Sequence, residues 1–246
     1  MLSNYRFWIT RPNPAGELLC DAIREVGGDA VHFPTIEIFP VKTAWSGLKA
    51  QDFLIFTSPQ AVYHSVRQMP ALPATIKIIA IGPGTRDALN KANIPASTYP
   101  ENSCTEELLL LPCFESIKSK KIGLVKGEGG RELLASELKA RGAIVTPFIV
   151  YERKLAKKKA APRIGNRDII LCTSCDILRN LISALEDQQA ILKQTPLIVI
   201  SDRIRLLARA LGFKKIVLAS NPNINTIIKT VGRLYVRDNG KIGIKK

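Results

Sequence analysis

Asp52-Phe53-Leu54-Ile55-Phe56-Thr57-Ser58 recurs 116 positions later as Asp168-Ile169-Ile170-Leu171-Cys172-Thr173-Ser174. Each copy has the same build: an acidic start, an apolar run of strand length, and a Thr-Ser end. Working outward, Glu17-Leu18-Leu19 matches Glu132-Leu133-Leu134 and Gly27 matches Gly142, both at an offset of 115. The apolar strand ending at Ile81 recurs ending at Ile200, 119 positions on, and Thr105 ahead of an apolar helix recurs as Thr226, 121 positions on. Correspondences that keep their order while the offset drifts only by short insertions mark an internal repeat. The chain reads as two copies of one unit, so its 246 residues divide into two domains of roughly 120 residues each.

Each copy alternates strand and helix. Arg6 to Thr10 is a short apolar-rich strand, and Ala15 to Val26 a helix with Leu18, Leu19, Ala22, Ile23 and Val26 on one face, stopped by Gly27-Gly28. Phe53 to Thr57 reads as a buried strand, Pro59 to Gln68 as a helix with proline in its first turn, Ile76 to Ile81 as a strand and Thr85 to Ala92 as a helix. The second copy repeats this through Lys121 to Lys126, Arg131 to Arg141, Asp168 to Thr173, Asp176 to Leu185, Leu197 to Ser201, Arg203 to Leu211 and Lys215 to Leu218. Strands that are apolar throughout and separated by helices belong to parallel sheets covered on both faces. The expected fold class is therefore α/β, two doubly wound parallel-sheet domains of flavodoxin type. Val31 to Val41 and Ile144 to Leu155 are longer extended runs, carrying Pro34, Pro40 and Pro147, and read as crossings between domains. On that reading one domain combines residues 1–33 with 156–246, the other spans about 42–147, and 34–41 and 148–155 connect them. The repeat is equally compatible with domains that follow the two sequence halves.

The composition, 46% apolar and 23% charged, is that of a globular chain, and no apolar run approaches the roughly 18 residues that span a bilayer. The opening Met1-Leu2-Ser3-Asn4-Tyr5-Arg6 leads straight into a strand pattern, so no secretory signal and a cytoplasmic location are expected. Five cysteines, an odd number in a chain this long, fit reduced thiols. Cys172 and Cys175 have the spacing of a redox or metal pair, but the chain has only two histidines and no second pair. A structural zinc wants four ligands, so no metal is expected. Thirty-six basic residues against 21 acidic give a net charge of +15. Such a field favours polyanionic partners, either nucleic acid or a small molecule with many carboxylates or phosphates. Part of the excess lies in the solvated runs Lys154 to Lys159 and Arg233 to Lys246.

In an open parallel sheet, ligands bind outside the carboxyl ends of the strands. Those ends carry Thr10-Arg11, Thr57-Ser58, Gly82-Pro83-Gly84-Thr85, Lys126-Gly127-Glu128-Gly129-Gly130-Arg131, Thr173-Ser174 and Ser201-Asp202-Arg203. Hydroxyls and free N–H groups at helix starts cradle anions, although each serine or threonine there also suits a helix N-cap. The glycine run fails the G-x-G-x-x-G spacing because Glu132 stands where the third glycine belongs, and there is no Gly-Lys-Ser/Thr phosphate loop. No cofactor is expected, with a nucleotide-dependent enzyme kept as a minor alternative. Neither His32 nor His64 has a nucleophile or carboxylate partner at a recognisable spacing, and both read as structural or exposed. Tyr151 occupies a position in the second crossing segment where the other copy has Ile36. It reads either as a packed amphipathic ring or as a proton donor.

The chain resembles the uroporphyrinogen-III synthase family over about residues 6–235. The matching segments are Ile9-Thr10-Arg11-Pro12 with Ala15-Gly16-Glu17, His32-Phe33-Pro34, Ile55-Phe56-Thr57-Ser58, Ala80-Ile81-Gly82 with Thr85, Gly127 to Leu133, Arg141-Gly142-Ala143, Val150-Tyr151-Glu152-Arg153 and Thr173-Ser174. The resemblance implies two flavodoxin-like domains joined by a two-stranded connector, which selects the interleaved arrangement. It implies a lyase of tetrapyrrole (heme) biosynthesis that binds hydroxymethylbilane, a linear tetrapyrrole with eight carboxylates, in the cleft between domains. The implied reaction expels the ring A hydroxyl, passes through a spiro intermediate and closes the macrocycle with ring D inverted. It further implies Tyr151 as donor to the departing hydroxyl, with Thr57, Ser58, Thr85, Thr173 and Ser174 lining the substrate site. Gly82 and Gly127 fall in the same matching turns, and Arg11, Lys126 and Arg131 are added on charge and placement. Where many members repeat Gly-x-x-Thr, this chain has Ser201-Asp202-Arg203-Ile204, which leaves Ser201 or Arg203 as the substitute. A monomer is expected, without membrane or nucleic-acid partners. The alternative from composition is a basic two-domain nucleic-acid-binding protein.

Overall fold

The structure, a computed structural model, describes residues 2–101, 105–129, 132–157 and 160–238. Cys104, Gly130, the candidate Arg131, Lys158, Lys159 and the tail from residue 239 lie outside the described residues. In chain order the main elements are β1 (Arg6–Ile9), α1 (Ala15–Glu25), β2 (Asp29–His32), β3 (Ile36–Pro40), β4 (Phe53–Phe56), α2 (Pro59–Val66), β5 (Lys77–Ala80), α3 (Pro83–Lys91) and α4 (Thr105–Leu108). There follow β6 (Lys121–Gly127), α5 (Leu133–Ala140), β7 (Ile144–Leu155), β8 (Asp168–Cys172), α6 (Cys175–Ala184), α7 (Gln189–Leu192), β9 (Leu197–Val199), α8 (Asp202–Ala210), β10 (Ile216–Leu218) and α9 (Ile224–Asp238).

Two compact units result, Met1–Glu37 with Lys154–Lys246, and Ile38–Arg153. The chain passes from one to the other within β3 and again within β7. The first unit holds a sheet in the order β10-β9-β8-β1-β2, with β10 and β9, β9 and β8, β8 and β1, and β1 and β2 all paired in parallel. Counted in chain order within the unit this is 2-1-3-4-5, the flavodoxin order. The second unit holds β3-β7-β6-β4-β5, in which β7, β6, β4 and β5 pair in parallel. By the repeat, β6, β7, β4 and β5 are the counterparts of β1, β2, β8 and β9, and β7-β6-β4-β5 reproduces β2-β1-β8-β9. The counterpart of the outer β10 is reduced to a single parallel bridge between Ile79 and Thr98. Each sheet is thus a hybrid, built from the first half of one repeat copy and the second half of the other.

Strict alternation along the strands explains why they read as unbroken apolar runs. Phe7, Ile9, Ile169, Leu171 and Ile198 pack on one face of the first sheet with residues of α1 and α9. Trp8, Ile170, Cys172, Leu197 and Val199 pack on the other with α6 and α8. In the second sheet Leu54, Phe56, Ile78, Ala80, Val125 and Phe148 face α2 and α3, while Phe53, Ile55, Ile79, Ile122 and Leu124 face α4 and α5. With both faces covered, each position of a central strand contributes burial, about 1.5–3 kcal/mol for a Val, Leu, Ile or Phe side chain.

The Val31–Val41 run departs from the single crossing expected of it. It breaks into β2, which completes the first sheet, and β3. Pro34 has no N–H to continue a ladder. At the break Thr35 takes over, its N–H donating to the Thr10 carbonyl and its hydroxyl to the Ile177 carbonyl.

Candidate active site

The strand ends gather the sequence-predicted residues in each unit. In the first unit Thr10 closes β1 with its hydroxyl donating to the Leu171 carbonyl at 2.6 Å, which ties β1 to β8. Arg11 follows. Its carbonyl lies 3.0 Å from His32 Nε2, and Gly16 leaves room for this contact, since a Cβ there would meet His32 Nε2 at 2.2 Å and the Arg11 carbonyl at 2.4 Å. The separate matching segments around Arg11, Gly16 and His32 are therefore one packed corner. Burial pushes the Arg11 guanidinium below its ordinary pKa, and no carboxylate among the described residues offsets that shift. A half-buried cation in that state is receptive to an anion.

Ser58, Ser174 and Ser201 are the N-caps of α2, α6 and α8, accepting from the backbone N–H groups of Ala61 (3.0 Å), Ile177 (3.1 Å) and Ile204 (3.4 Å). Each cap occupies an acceptor site of the hydroxyl and leaves its proton available. Thr57 donates to the Val125 carbonyl at 3.2 Å, and Thr173 is half-buried at the end of β8. Gly82, in extended backbone, precedes α3, and its carbonyl accepts from the N–H of Thr85. Thr85 itself is buried, so its side chain packs inside the second unit.

The densest arrangement lies in the second unit. A cavity of about 220 Å³ is lined by Thr57, Lys126, Gly127, Tyr151 and Arg153 among others. Lys126 stands at the end of β6 where the repeat places Arg11 at the end of β1: both lie four residues beyond the aligned pair Phe7 and Ile122, which face Ile169 and Phe53 in the same register.

Tyr151 is only 1% exposed. Its hydroxyl is 3.2 Å from Ser58 Oγ and accepts from Arg153 Nη2 at 2.7 Å. The Arg153 guanidinium carbon lies 5.2 Å from the ring centroid, and the His64 ring lies 5.6 Å away on α2. Burial, and next the charge of Arg67, hold His64 below its ordinary pKa, so the ring beside Tyr151 is neutral at neutral pH. The ring is thus a packed part of the core, as one sequence reading has it, and its hydroxyl is hydrogen-bonded at the edge of a cavity. His64 and Arg153 were not among the sequence-predicted site residues. A signal existed for Arg153, two positions from Tyr151 on a strand and so on the same face. None existed for His64, whose neighbour is brought to it by sheet packing.

Gly127 pairs with Tyr151 at the irregularity between β6 and β7. A Cβ at 127 would lie 2.4 Å from Tyr151 Cε2 and Cζ and 2.9 Å from its oxygen. Gly127→Ala is expected to displace the ring and lower turnover about tenfold to a hundredfold, the scale of an ångström misplacement. Steady-state kinetics on a variant with a retained cooperative melt checks this.

Among the described residues no group of three His, Cys, Asp or Glu side chains could hold a metal. Burial pushes the Cys172 thiol up to about 12, so it is no thiolate ligand or nucleophile at neutral pH.

A family model described as Uroporphyrinogen-III synthase HemD matches residues 18–229. The chain belongs to the uroporphyrinogen-III synthase family. It is 32% identical to the uroporphyrinogen-III synthase of Escherichia coli (strain K12) over 91% of this chain and 98% of that one. It is 33% identical to the synthase of Proteus mirabilis over 72% and 96%. Among solved structures, that of the Helicobacter pylori 26695 uroporphyrinogen-III synthetase matches with a TM-score of 0.65 at 16% identity, covering 94% of this chain and 99% of that one. A mutant synthase of Thermus thermophilus matches at 0.61 and 16%, covering 95% and 99%. These likenesses show the shared two-domain α/β fold. The comparisons give the nucleic-acid reading no support.

Proposed function

We infer that the chain is a lyase of tetrapyrrole biosynthesis that converts hydroxymethylbilane to uroporphyrinogen III, with ring D inverted and water lost. Family membership along residues 18–229 supports the reaction. The observation that carries the residue-level reading is the Tyr151 hydroxyl, buried, fixed by Ser58 and Arg153, and bordering a cavity with Lys126.

In this reading the bilane's carboxylates are taken up at the strand ends of both units, by Lys126, Gly127, Thr57 and Ser58 in one and by Arg11, Thr173, Ser174 and Ser201 in the other. Among the described residues no helix is long and apolar enough to cross a membrane, and we take the active species to be a cytoplasmic monomer. Tyr151 donates its proton to the departing hydroxyl. The remaining task is conformational, because unaided closure gives the unrearranged isomer. Folding the bilane so that ring D attacks through its substituted carbon is catalysis by orientation.

Purified protein given hydroxymethylbilane is expected to yield the type III isomer, read after oxidation and chromatographic separation. Type I alone would overturn the assignment.

A further inference from the structure

We propose that Arg153 is a positioning residue that acts through Tyr151, aiming its proton at the substrate and stabilising the oxygen once the proton has gone. The inference rests on the reading of Tyr151 as the acid.

A guanidinium carries only donors. Its N–H at 2.7 Å from the Tyr151 oxygen therefore occupies an acceptor site, and the phenol's own proton must point elsewhere. Ser58 Oγ, at 3.2 Å, is one acceptor. That oxygen already receives the Ala61 N–H as helix cap, so a lone pair on a leaving hydroxyl in the adjoining cavity competes for the Tyr151 proton. The ring cannot swing to a different partner, because Gly127 lies against one part of it and His64 beside another. Arg153 reaches the hydroxyl from two residues along the same strand, with its guanidinium also near the ring. The exposed side chain keeps its charge hydrated until negative charge develops on the oxygen.

The chemistry balances within the reaction. The C–O bond breaks with its electron pair leaving on oxygen, and the Tyr151 proton completes a water molecule. The electron demand at the methylene carbon is met by the attached pyrrole. The phenolate left behind sits in a charge-assisted hydrogen bond to Arg153, the strong class of such bonds. The proton released when the attacked pyrrole ring of the closed macrocycle regains its own aromaticity restores the phenol.

A double-mutant cycle tests this, with the full chain and hydroxymethylbilane as substrate. Arg153→Met is expected to lower kcat about tenfold to a hundredfold with KM little changed, as loss of a charge-assisted bond made in the transition state requires. Arg153→Lys, which keeps the charge without the fork, recovers part of the loss. In the Tyr151→Phe background Arg153→Met has no further effect, since the group it acts through is gone. Effects that multiply, a rise in KM alone, or an unchanged kcat in Arg153→Met would each overturn the proposal. Unchanged turnover in Tyr151→Phe alone would overturn the acid reading and the inference with it, so the two failures are distinguishable. Arg153→Gln serves where the methionine variant melts early.

Discussion

Tyr151→Phe is expected to lower turnover by about 10²- to 10⁴-fold, the usual contribution of a positioned general acid, while the protein stays folded. The ring fills the same volume in the second unit's core, between Gly127 and the α2 side, so packing is retained. Only the hydroxyl goes. Its two partners fare well without it: Ser58 still caps α2 through the Ala61 N–H, and exposed Arg153 returns to water. The net stability cost is about 1 kcal/mol, that of one typical hydrogen bond. The measurement is kcat for type III formation beside a thermal melt. Turnover equal to that of the parent would remove the acid role and leave the family assignment untouched. A loss of turnover accompanied by a collapse of the melt would show that the hydroxyl holds the sheet together.

The parts of this site that could be read from sequence are those fixed by local chain chemistry. Ser58, Ser174 and Ser201 each precede a helix after a strand, and they are caps for the same reason they were candidates: the end of a parallel strand feeds a helix start. The strands themselves were legible because both faces of each sheet are covered, which makes their inner stretches, such as Phe53–Phe56 and Ile169–Cys172, apolar on both faces. What the repeat could not supply is which copy's strands share a sheet. Similar halves satisfy either pairing locally, and the hybrid sheets β10-β9-β8-β1-β2 and β3-β7-β6-β4-β5 are decided by where the chain crosses, within β3 and β7. The resemblance pointed to the interleaved arrangement where periodicity was silent. The break at Pro34 was also illegible, since Thr35, which takes over there, bonds to Thr10 and Ile177, both remote in sequence. The same is true of His64 against Tyr151, a contact between a helix and a strand 87 positions apart.

The repeat also puts equivalent aspartates into unequal settings, and from this comes the largest expected loss of stability. Asp52 stands immediately before β4 and Asp168 opens β8, the strands of the two Thr-Ser segments. Asp52 is partly exposed and accepts from the Lys121 backbone N–H at 2.8 Å, with Lys120 Nζ at 3.4 Å. The Lys121 N–H, and next the side chain of Lys120, hold its carboxyl below the ordinary carboxylate range. A depressed carboxyl contributes stability above its unfolded pKa and loses it as pH falls through the folded value, but solvent screens this one and its share is small. Asp168 has only 1% of its side chain exposed. It accepts from Arg6 Nε at 2.7 Å and Arg6 Nη2 at 2.7 Å, a bidentate pair, and from the Gly165 N–H at 2.7 Å. Arg6 further donates to the Arg163 carbonyl, so one guanidinium ties the start of β1 to the start of β8, the middle strand of its sheet. Arg6→Met leaves a buried carboxylate with one backbone donor. Removing one partner of a buried pair costs about 3–5 kcal/mol, and the partial exposure of Arg6 with the surviving Gly165 bond puts this case near about 3 kcal/mol. Against a total stability of about 5–15 kcal/mol that is severe, and the melting temperature of the first unit is expected to fall on the order of 10 °C. Adding Asp168→Leu to Arg6→Met is expected to recover much of the loss, because it removes the stranded charge instead of restoring the pair. A single Arg6→Met melting within a degree of the parent would mean that water reaches the Asp168 carboxylate, and the buried pair would then count for little in holding β1 beside β8.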